Sequence, residues 1–365
     1  MQISELYKLF KQTAGVCTDS RNIIPGGIFF ALKGPHFNGN AFARQALADG
    51  AAFAVIDEKE FYLDKRTVLV EHVLDTLQQL ALHHRQQFSI PVLAITGSNG
   101  KTTTKELVHA VLSTTYRTHT TKGNLNNHIG IPLTLLEMKE DTEIAVIEMG
   151  ANHQREIAGY CSYTLPTHGI ITNCGKAHLE GFGGEEGVRK GKGELYDFLR
   201  SHEGTAFING DYDYLKEMSK GIPHVYSYGT TGALINGRIT ATEPFLELRI
   251  EGSAELKLAT QLVGAYNLPN VLVAVAVGRY FKVSDEQIRK AIAGYAPSNS
   301  RSQLIHLGKQ QIILDAYNAN PTSMRAAIES FAASHYPNKV LILGAMAELG
   351  AESEREHRSI VELIQ

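Results

Sequence analysis

The stretch Ile95-Thr96-Gly97-Ser98-Asn99-Gly100-Lys101-Thr102-Thr103-Thr104-Lys105-Glu106-Leu107 decides the fold. It continues an apolar run that starts at Val92 and opens an amphipathic segment, so it reads as strand, glycine-containing turn and helix. In that setting Gly97 and Gly100 let backbone N–H groups approach phosphate oxygens. The helix start at Thr102 adds a favourable dipole, and Lys101 supplies a mobile positive charge. The Thr102 hydroxyl is placed to ligate Mg²⁺. The spacing is GxxGKT, because Ile95 stands where the longer GxxxxGKT motif has its first glycine. The competing reading is a turn that only happens to hold two glycines ahead of a helix.

Around this loop, the 365 residues are too many for one ordinary core, so two or three domains are expected. A formal net charge of −3 with 20% charged residues does not resemble a nucleic-acid binder or an acidic tail protein. Cys17, Cys161 and Cys174 are odd in number and form no CxxC pair, which points to a reducing, cytoplasmic setting. The N-terminal MQISELYKLFKQTAG reads as a short amphipathic helix and not as a secretory signal. The apolar run Val271 to Val277 is far shorter than the roughly 20 residues that cross a bilayer.

Upstream, GGIFFALKG and NAFARQALADGAAFAVID read as strand, loop, helix and strand, with the helix ending at Asp49-Gly50. A helix over Leu74 to Gln87 leads to a boundary near Phe88. Downstream, EIAVIEMG, HGIITNCG and GTAFING alternate with helical stretches such as EGVRKGKGELYDFLRS, which argues a parallel, doubly wound sheet. Residues 222–262 change to period-two alternation and read as appended antiparallel strands. LPNVLVAVAVGRYF and SDEQIRKAIAGY read as helices, and Ala296 to Ser300 as a linker. A third unit from Arg301 has QIILDAY and KVLILGA as buried strands around the helix TSMRAAIESFAASHY. It is short for an independent domain. The expected domains are 1–88, 89–297 and 298–365.

Other polar residues qualify as site candidates, each with a bland alternative. Glu148 ends an apolar strand at the carboxyl edge of the sheet, where such folds bind ligands, but a solvated carboxylate fits equally. His178 lies in a glycine-rich loop after another strand, where a lone histidine is more often just solvated. Lys192, taken alone, reads as a surface helix lysine. Asn124, Asn126 and Asn127 supply amides for a polar substrate or serve as turn formers. Asp315, Asn318 and Asn320 follow a strand in the third unit, where a helix start at Pro321 explains some of them.

Five ordered motifs together resemble the Mur ligase family, ATP-dependent enzymes that join an amino acid or peptide to a nucleotide-sugar precursor of the bacterial cell wall. They are TGSNGKTTTKE, IEMGAN, TNCGKAHLEGFGG, YNANPTSMRAAI and LGAMAELG. The last two are most similar to members that add D-alanyl-D-alanine to UDP-N-acetylmuramoyl-tripeptide. The resemblance implies a small UDP-binding α/β domain, a central phosphate-loop domain with a mostly parallel sheet, and a Rossmann-like third domain that is here partial. It implies that Gly97, Ser98, Asn99, Gly100, Lys101, Thr102 and Thr103 bind ATP, and that Thr102, Glu148 and His178 belong to a site for one or two Mg²⁺ ions. Lys192 matches the family's carbamylated lysine, which reverses the bland reading of that residue; a carbamate offers the oxygen donors that Mg²⁺ requires. Lys101, His178 and Lys192 are the implied catalytic residues.

Asn267 and Asn270 match the nucleotide-side HNxxN segment, with Tyr266 where histidine is usual, and Arg301 and Asp315 match residues that close onto ATP. Tyr317, Asn318 and Asn320 fall on the acceptor side. In the first domain, Ser20, Arg21 and Lys33 match the UDP-holding pattern, with Asn38 and Asn40 where Asp and His are common in DGH; Asn124, Asn126 and Asn127 are assigned to the same substrate. Ala345 replaces an aspartate. The implied protein is a cytoplasmic monomer acting on small molecules, without nucleic acid or membrane partners. Competing readings are a folylpolyglutamate synthase-like ligase, a phosphate-loop switch or motor, and a ligase-derived binding protein.

Overall fold

The computed structural model describes residues 2–252 and 256–365, and the chain divides into two units. The first contains residues up to Ile90 together with 121–142 and 159–165, and the second contains 91–120, 143–158 and 166–365. Among the described residues no helix is long and apolar enough to cross a membrane.

The first unit runs through α1 (Ile3–Phe10), β1 (Val16–Cys17), β2 (Ile28–Phe30) and a short hairpin of β3 (Lys33–Gly34) and β4 (Phe37–Asn38). It continues with α2 (Ala43–Ala48), β5 (Phe53–Ile56), β6 (Thr67–Leu69) and α3 (Val73–Arg85). Its sheet is parallel in the order β1-β2-β5-β6. Phe29 and Ile56 pack against Ala43, Ala46 and Leu47 of α2. As the Asp49-Gly50 pair predicts, α2 stops at Ala48 and Gly50 takes a φ of +106°. The helix Gly130–Leu136 lies on α3. The buried Arg85 guanidinium ties in the 159–165 segment by donating to the carbonyls of Thr164 at 2.9 Å and Leu165 at 3.2 Å.

In the second unit the opening stretch forms β7 (Val92–Thr96) and α4 (Lys101–Leu112). Along the chain follow β8 (Thr118–Thr120), α5 (Gly130–Leu136, part of the first unit), β9 (Ile144–Glu148), α6 (Glu156–Thr164, which belongs to the first unit from Gly159 on), β10 (His168–Ile171), α7 (Leu179–Phe182) and α8 (Glu185–Ser201). Next come β11 (Thr205–Asn209), α9 (Asp213–Met218), β12 (His224–Gly229), β13 (Ile235–Ala241), β14 (Glu247–Ile250), β15 (Leu256–Ala259), α10 (Leu268–Tyr280) and α11 (Asp285–Gly294). The nine-stranded sheet has the order β15-β14-β13-β12-β11-β10-β7-β9-β8. The apolar faces of α4, α10 and α11 cover one side, burying Leu107, Val111, Val275 and Ile288 against Leu93, Ile95 and Val146. On the other side α8 packs against β7, β10 and β11. The strand order reverses around β7, which is where open α/β sheets bind ligands at the carboxyl ends of their strands.

Two sequence expectations change. Within 222–262 only β13, β14 and β15 pair antiparallel; β12 continues the parallel sheet beside β11, because α9 provides the crossover that parallel pairing needs. In the third segment, QIILDAY forms β17 (Gln310–Leu314), an edge of an antiparallel hairpin with β16 (Gln303–Leu307), and Ile312 is half-exposed, not buried. KVLILGA forms no strand, and Val340 and Ile342 are 75% and 94% exposed. No described strand lies beside it, so its backbone gains no ladder and its apolar side chains no cover. The segment ends in α12 (Pro321–Ala332) and α13 (Ser353–Ile364), whose Ile328 and Ile360 pack with Leu179, Phe182 and Val188.

Candidate functional site

The loop between β7 and α4 is held from β10. Ser98 N donates to Asn173 O at 2.9 Å, Asn99 N to Asn173 Oδ1 at 3.1 Å, and Ser98 Oγ to Gly175 O at 2.9 Å. Both glycines are required by space as well as by conformation. A Cβ on Gly97 would lie 2.0 Å from Thr172 Oγ1, and one on Gly100 (φ +81°) would lie 2.5 Å from Asn270 Oδ1. Gly100 precedes the first turn of α4, whose leading N–H groups have no intrahelical acceptor. Lys101 Nζ donates back to the carbonyls of Gly97 at 2.8 Å and Ser98 at 3.2 Å, while Thr103 is buried below the loop. Thr102 Oγ1 donates to Glu148 Oε1 at 3.1 Å, so the strand-end carboxylate is buried at the loop and not solvated.

Lys192 is only 1% exposed. It lies on the apolar stripe of α8 formed by Val188, Leu195, Tyr196 and Leu199. Its Nζ donates to Ala151 O at 2.9 Å and lies 4.8 Å from the centre of the Phe182 ring. Gly191 makes room for that ring, since a Cβ there would come within 2.4 Å of it. Burial, helped by the charge on Lys101, pulls the Lys192 amine down to about 7. Burial also lowers Lys101; nearby Glu148 opposes this and Arg301 adds to it. His178 is lowered by burial, with Glu348 opposing and Lys101 and Lys192 adding. Its Nδ1 contacts the Glu348 carboxylate. The charges of Lys101, Lys192 and His178 are thus each disfavoured by burial and by a neighbouring cation, an arrangement that suits a polyanion. The buried Arg301 Nε has no hydrogen-bond partner among the described residues, while the guanidinium stacks 3.8 Å above the Tyr317 ring.

A polar chain leads from the loop to the third segment. Thr104 Oγ1 donates to Asn270 Oδ1 at 3.2 Å, Asn270 Nδ2 to Asn267 Oδ1 at 2.9 Å, and Asn267 Nδ2 to Ser302 Oγ at 3.2 Å. Tyr266 Oη is 3.0 Å from Ser302 Oγ and donates to Asp315 Oδ2 at 3.2 Å. Burial pushes the Asp315 carboxyl up. Tyr317 and Asn318 are exposed. Asn320 is buried, caps α12 and pairs with Asn99, so its amide is already engaged.

In the first unit, Lys33, Asn38 and Asn40 converge. Lys33 Nζ lies 3.1 Å from Asp57 and 3.2 Å from Glu58, Asn38 Nδ2 donates to Glu58 at 2.9 Å, and Asn40 Nδ2 donates to Asp57 at 2.9 Å. Ser20 and Arg21 sit in a different loop, where Asp19 accepts from Arg21 Nε and Nη2 at 2.9 Å each. Asn127 Oδ1 accepts from the backbone of Ile129 and Gly130, which is the turn-forming reading; Asn124 is exposed, and Asn126 N donates to Asn124 O. Sequence reasoning missed Asp57, Glu58, Asn173, Ser302 and Glu348. The acidic pair directly after the apolar FAVI run and the asparagine directly after HGIIT were the available signals.

Among the described residues no three His, Cys, Asp or Glu side chains cluster as a metal cage. Mg²⁺ with a nucleotide needs only one or two protein carboxylates beside phosphate oxygens, and the Thr102–Glu148 pair fits that demand. Sheet, loop and cation cluster define a phosphate-loop, nucleoside-triphosphate-using α/β protein.

The comparisons narrow this class. The family model for the Mur ligase middle domain matches residues 95–278, that for the Mur ligase family catalytic domain 12–85, and that for the Mur ligase glutamate ligase domain 300–365. The UDP-N-acetylmuramoyl-tripeptide–D-alanyl-D-alanine ligase of Bacillus subtilis (strain 168) is 38% identical over 355 residues, 96% of this chain and 77% of that protein. A crystal structure of MurF from Acinetobacter baumannii superposes with a TM-score of 0.90 at 31% identity, covering 99% of this chain and 83% of that one. MurF ligase from Thermotoga maritima in complex with ADP gives 0.87 at 28% identity, covering 97% and 82%. The chain belongs to the Mur ligase family.

Proposed function

We propose that this chain is the ATP-dependent ligase that joins D-alanyl-D-alanine to UDP-N-acetylmuramoyl-tripeptide in peptidoglycan precursor synthesis. The observation that carries the reading is Lys101 of the phosphate loop, which feels Glu148 and Arg301 and in turn acts on Lys192 and His178, on a chain similar over nearly its whole length to ligases of that name. The tripeptide's terminal carboxylate attacks the γ-phosphorus of ATP, and the bond to the β-phosphate oxygen breaks to release ADP. The dipeptide amine then attacks the acyl carbon, loses a proton and expels phosphate. Activation is needed because a carboxylate and an ammonium do not condense at neutral pH.

Phosphoryl transfer draws on positioning and charge neutralisation more than on covalent chemistry by the protein. Lys101, with the leading N–H groups of α4, neutralises the phosphates, and Arg301 approaches from the third segment. His178, whose charge burial disfavours against the opposing pull of Glu348, serves as a nitrogen donor. Thr102, Glu148 and His178 would hold Mg²⁺, which supplies Lewis-acid polarisation of the phosphates when bound. An amine pulled down to about 7 has a substantial uncharged fraction at neutral pH, the form that adds to CO₂, and this supports a carbamylated Lys192. Asn267, Asn270 and Asp315 are assigned to the nucleoside, Asp315 to its ribose, and Ser20, Arg21, Lys33, Asn38 and Asn40 to the UDP moiety. The domain limits 1–88, 89–297 and 298–365, a monomeric state and a cytoplasmic location belong to the same reading.

The test is ADP release in the presence of ATP, Mg²⁺ and UDP-N-acetylmuramoyl-tripeptide, with and without D-alanyl-D-alanine. ADP and pentapeptide product should appear together and only with the dipeptide. Turnover indifferent to the dipeptide would overturn the ligase reading.

A further inference from the structure

Asn173, Asn99 and Asn320 form a relay that the reaction above does not use. Asn173 grips the Asn99 peptide on both sides: its Oδ1 accepts from Asn99 N and its Nδ2 donates to Asn99 O, each at 3.1 Å. Thr172 Oγ1 donates to the same carbonyl at 2.6 Å. The backbone of Asn99 is therefore fixed, and its side chain projects toward α12. Asn320, 7% exposed, accepts from Ser323 N through Oδ1 at 3.0 Å. A backbone N–H can only donate, so this bond fixes the amide orientation and turns Nδ2 away from the helix. There Nδ2 donates to Asn99 Oδ1 at 2.7 Å. Next to this pair, Lys176 N donates to Thr322 Oγ1 at 3.0 Å, and Lys176 Nζ lies 2.7 Å from the buried Glu356 carboxylate of α13.

We infer that Asn320 is a positioning residue that couples the phosphate loop to α12, so that the 300–365 segment seats over the nucleotide only when the loop holds its phosphate-binding shape. The inference rests on the ligase reading. The same three residues, Ser98, Asn99 and Gly100, must be in place both to surround phosphate and to present the Asn99 amide. Loss of the pair loosens the cover over the acyl phosphate, and water then competes with the dipeptide amine.

Two substitutions separate this role from simple helix capping. Asn320→Ser keeps a hydroxyl to cap Ser323 N but is too short to reach Asn99. Asn320→Asp keeps the cap, and the Asn99 amide can rotate to donate Nδ2 to the second carboxylate oxygen. Loss of the Asn99 pairing, a strong bond at 2.7 Å and a long one at 3.4 Å, predicts that Asn320→Ser forms product about tenfold more slowly and releases ADP in excess of product, while Asn320→Asp recovers most of the loss. Equal impairment in both variants, or tight coupling retained in Asn320→Ser, overturns the inference. Hydrogen exchange of the amides of 321–325 provides a readout independent of ligation. ADP should slow exchange in the wild-type chain and fail to do so in Asn320→Ser; equal protection in both overturns the coupling. A wild-type chain that makes no product yet shows this ADP-dependent difference would sink the ligase reading and keep the coupling.

Discussion

Lys33 and Lys192 are both lysines beside apolar strands, and their surroundings are opposite. Lys33 is 43% exposed at its side chain and meets two carboxylates, Asp57 and Glu58, within 3.2 Å. Lys192 is buried under Phe182, donates to one carbonyl, and has Lys101 as the largest influence on its charge after burial itself. A cation with its counter-charges built in contributes to holding a fold together. A cation buried among other cations costs stability, and such a cost persists where binding or chemistry uses it. The first cluster therefore reads as scaffold with a binding face, and the second as machinery.

The largest test of that contrast is Lys101→Ala. ADP production should fall roughly 10³-fold, as when a key transition-state charge partner is removed. Thermal stability should hold or rise, because a desolvated cation that repels Arg301 is gone; a clear fall in Tm would place Lys101 with the scaffold. Next, Lys192→Ala should lose roughly 10²-fold in turnover and regain part of it with a small carboxylic acid in the buffer, which restores oxygen donors. Absence of any rescue would remove the carbamate from the account. A smaller effect of opposite kind is expected at Asn40, which is fully buried and bonded to Asn38 and to both the backbone and the carboxylate of Asp57. Asn40→Ala should cost roughly 2 kcal/mol in the denaturant transition of the first unit, since it strands Asp57 N without an acceptor.

The smallest effect is a pH dependence. Burial raises the Asp57 carboxyl, but hydrogen bonds from Asn40, Lys33 and Val73 N outweigh it and hold the group below the usual carboxylate range. The unfolded chain thus binds this proton more readily than the folded one. The stabilisation is complete above the ordinary carboxylate value and disappears as pH falls through the lower folded one. Asp57→Asn should flatten that acid limb; an unchanged limb would assign it to other groups.

Much of this was legible in the residues. The strand-turn-helix at Ile95 to Leu107 is local, so a short window contains it. Lys192 was not readable from its own identity, yet it shares a face with Val188, Leu195 and Tyr196, and that spacing alone marks it as buried. KVLILGA shows the opposite failure: its apolar, β-branched composition favours a strand, but a strand exists only beside a partner, and the partner is a tertiary fact. The pairing of Asn99 with Asn320 spans 221 positions, and no periodicity in the sequence encodes it.

Cys174 acquires a use from where it sits. It follows Asn173, packs on the same buried cluster as Ala319 and Met324 of the third segment, and burial pushes its thiol up to about 12. A thiol in that condition is inert to alkylation at neutral pH while the third segment is seated. Any lifting of the segment would let water reach the sulfur and restore its reactivity. The rate at which iodoacetamide consumes Cys174 is then a clock for the lifting, with the buried Cys17 and Cys161 as a silent background.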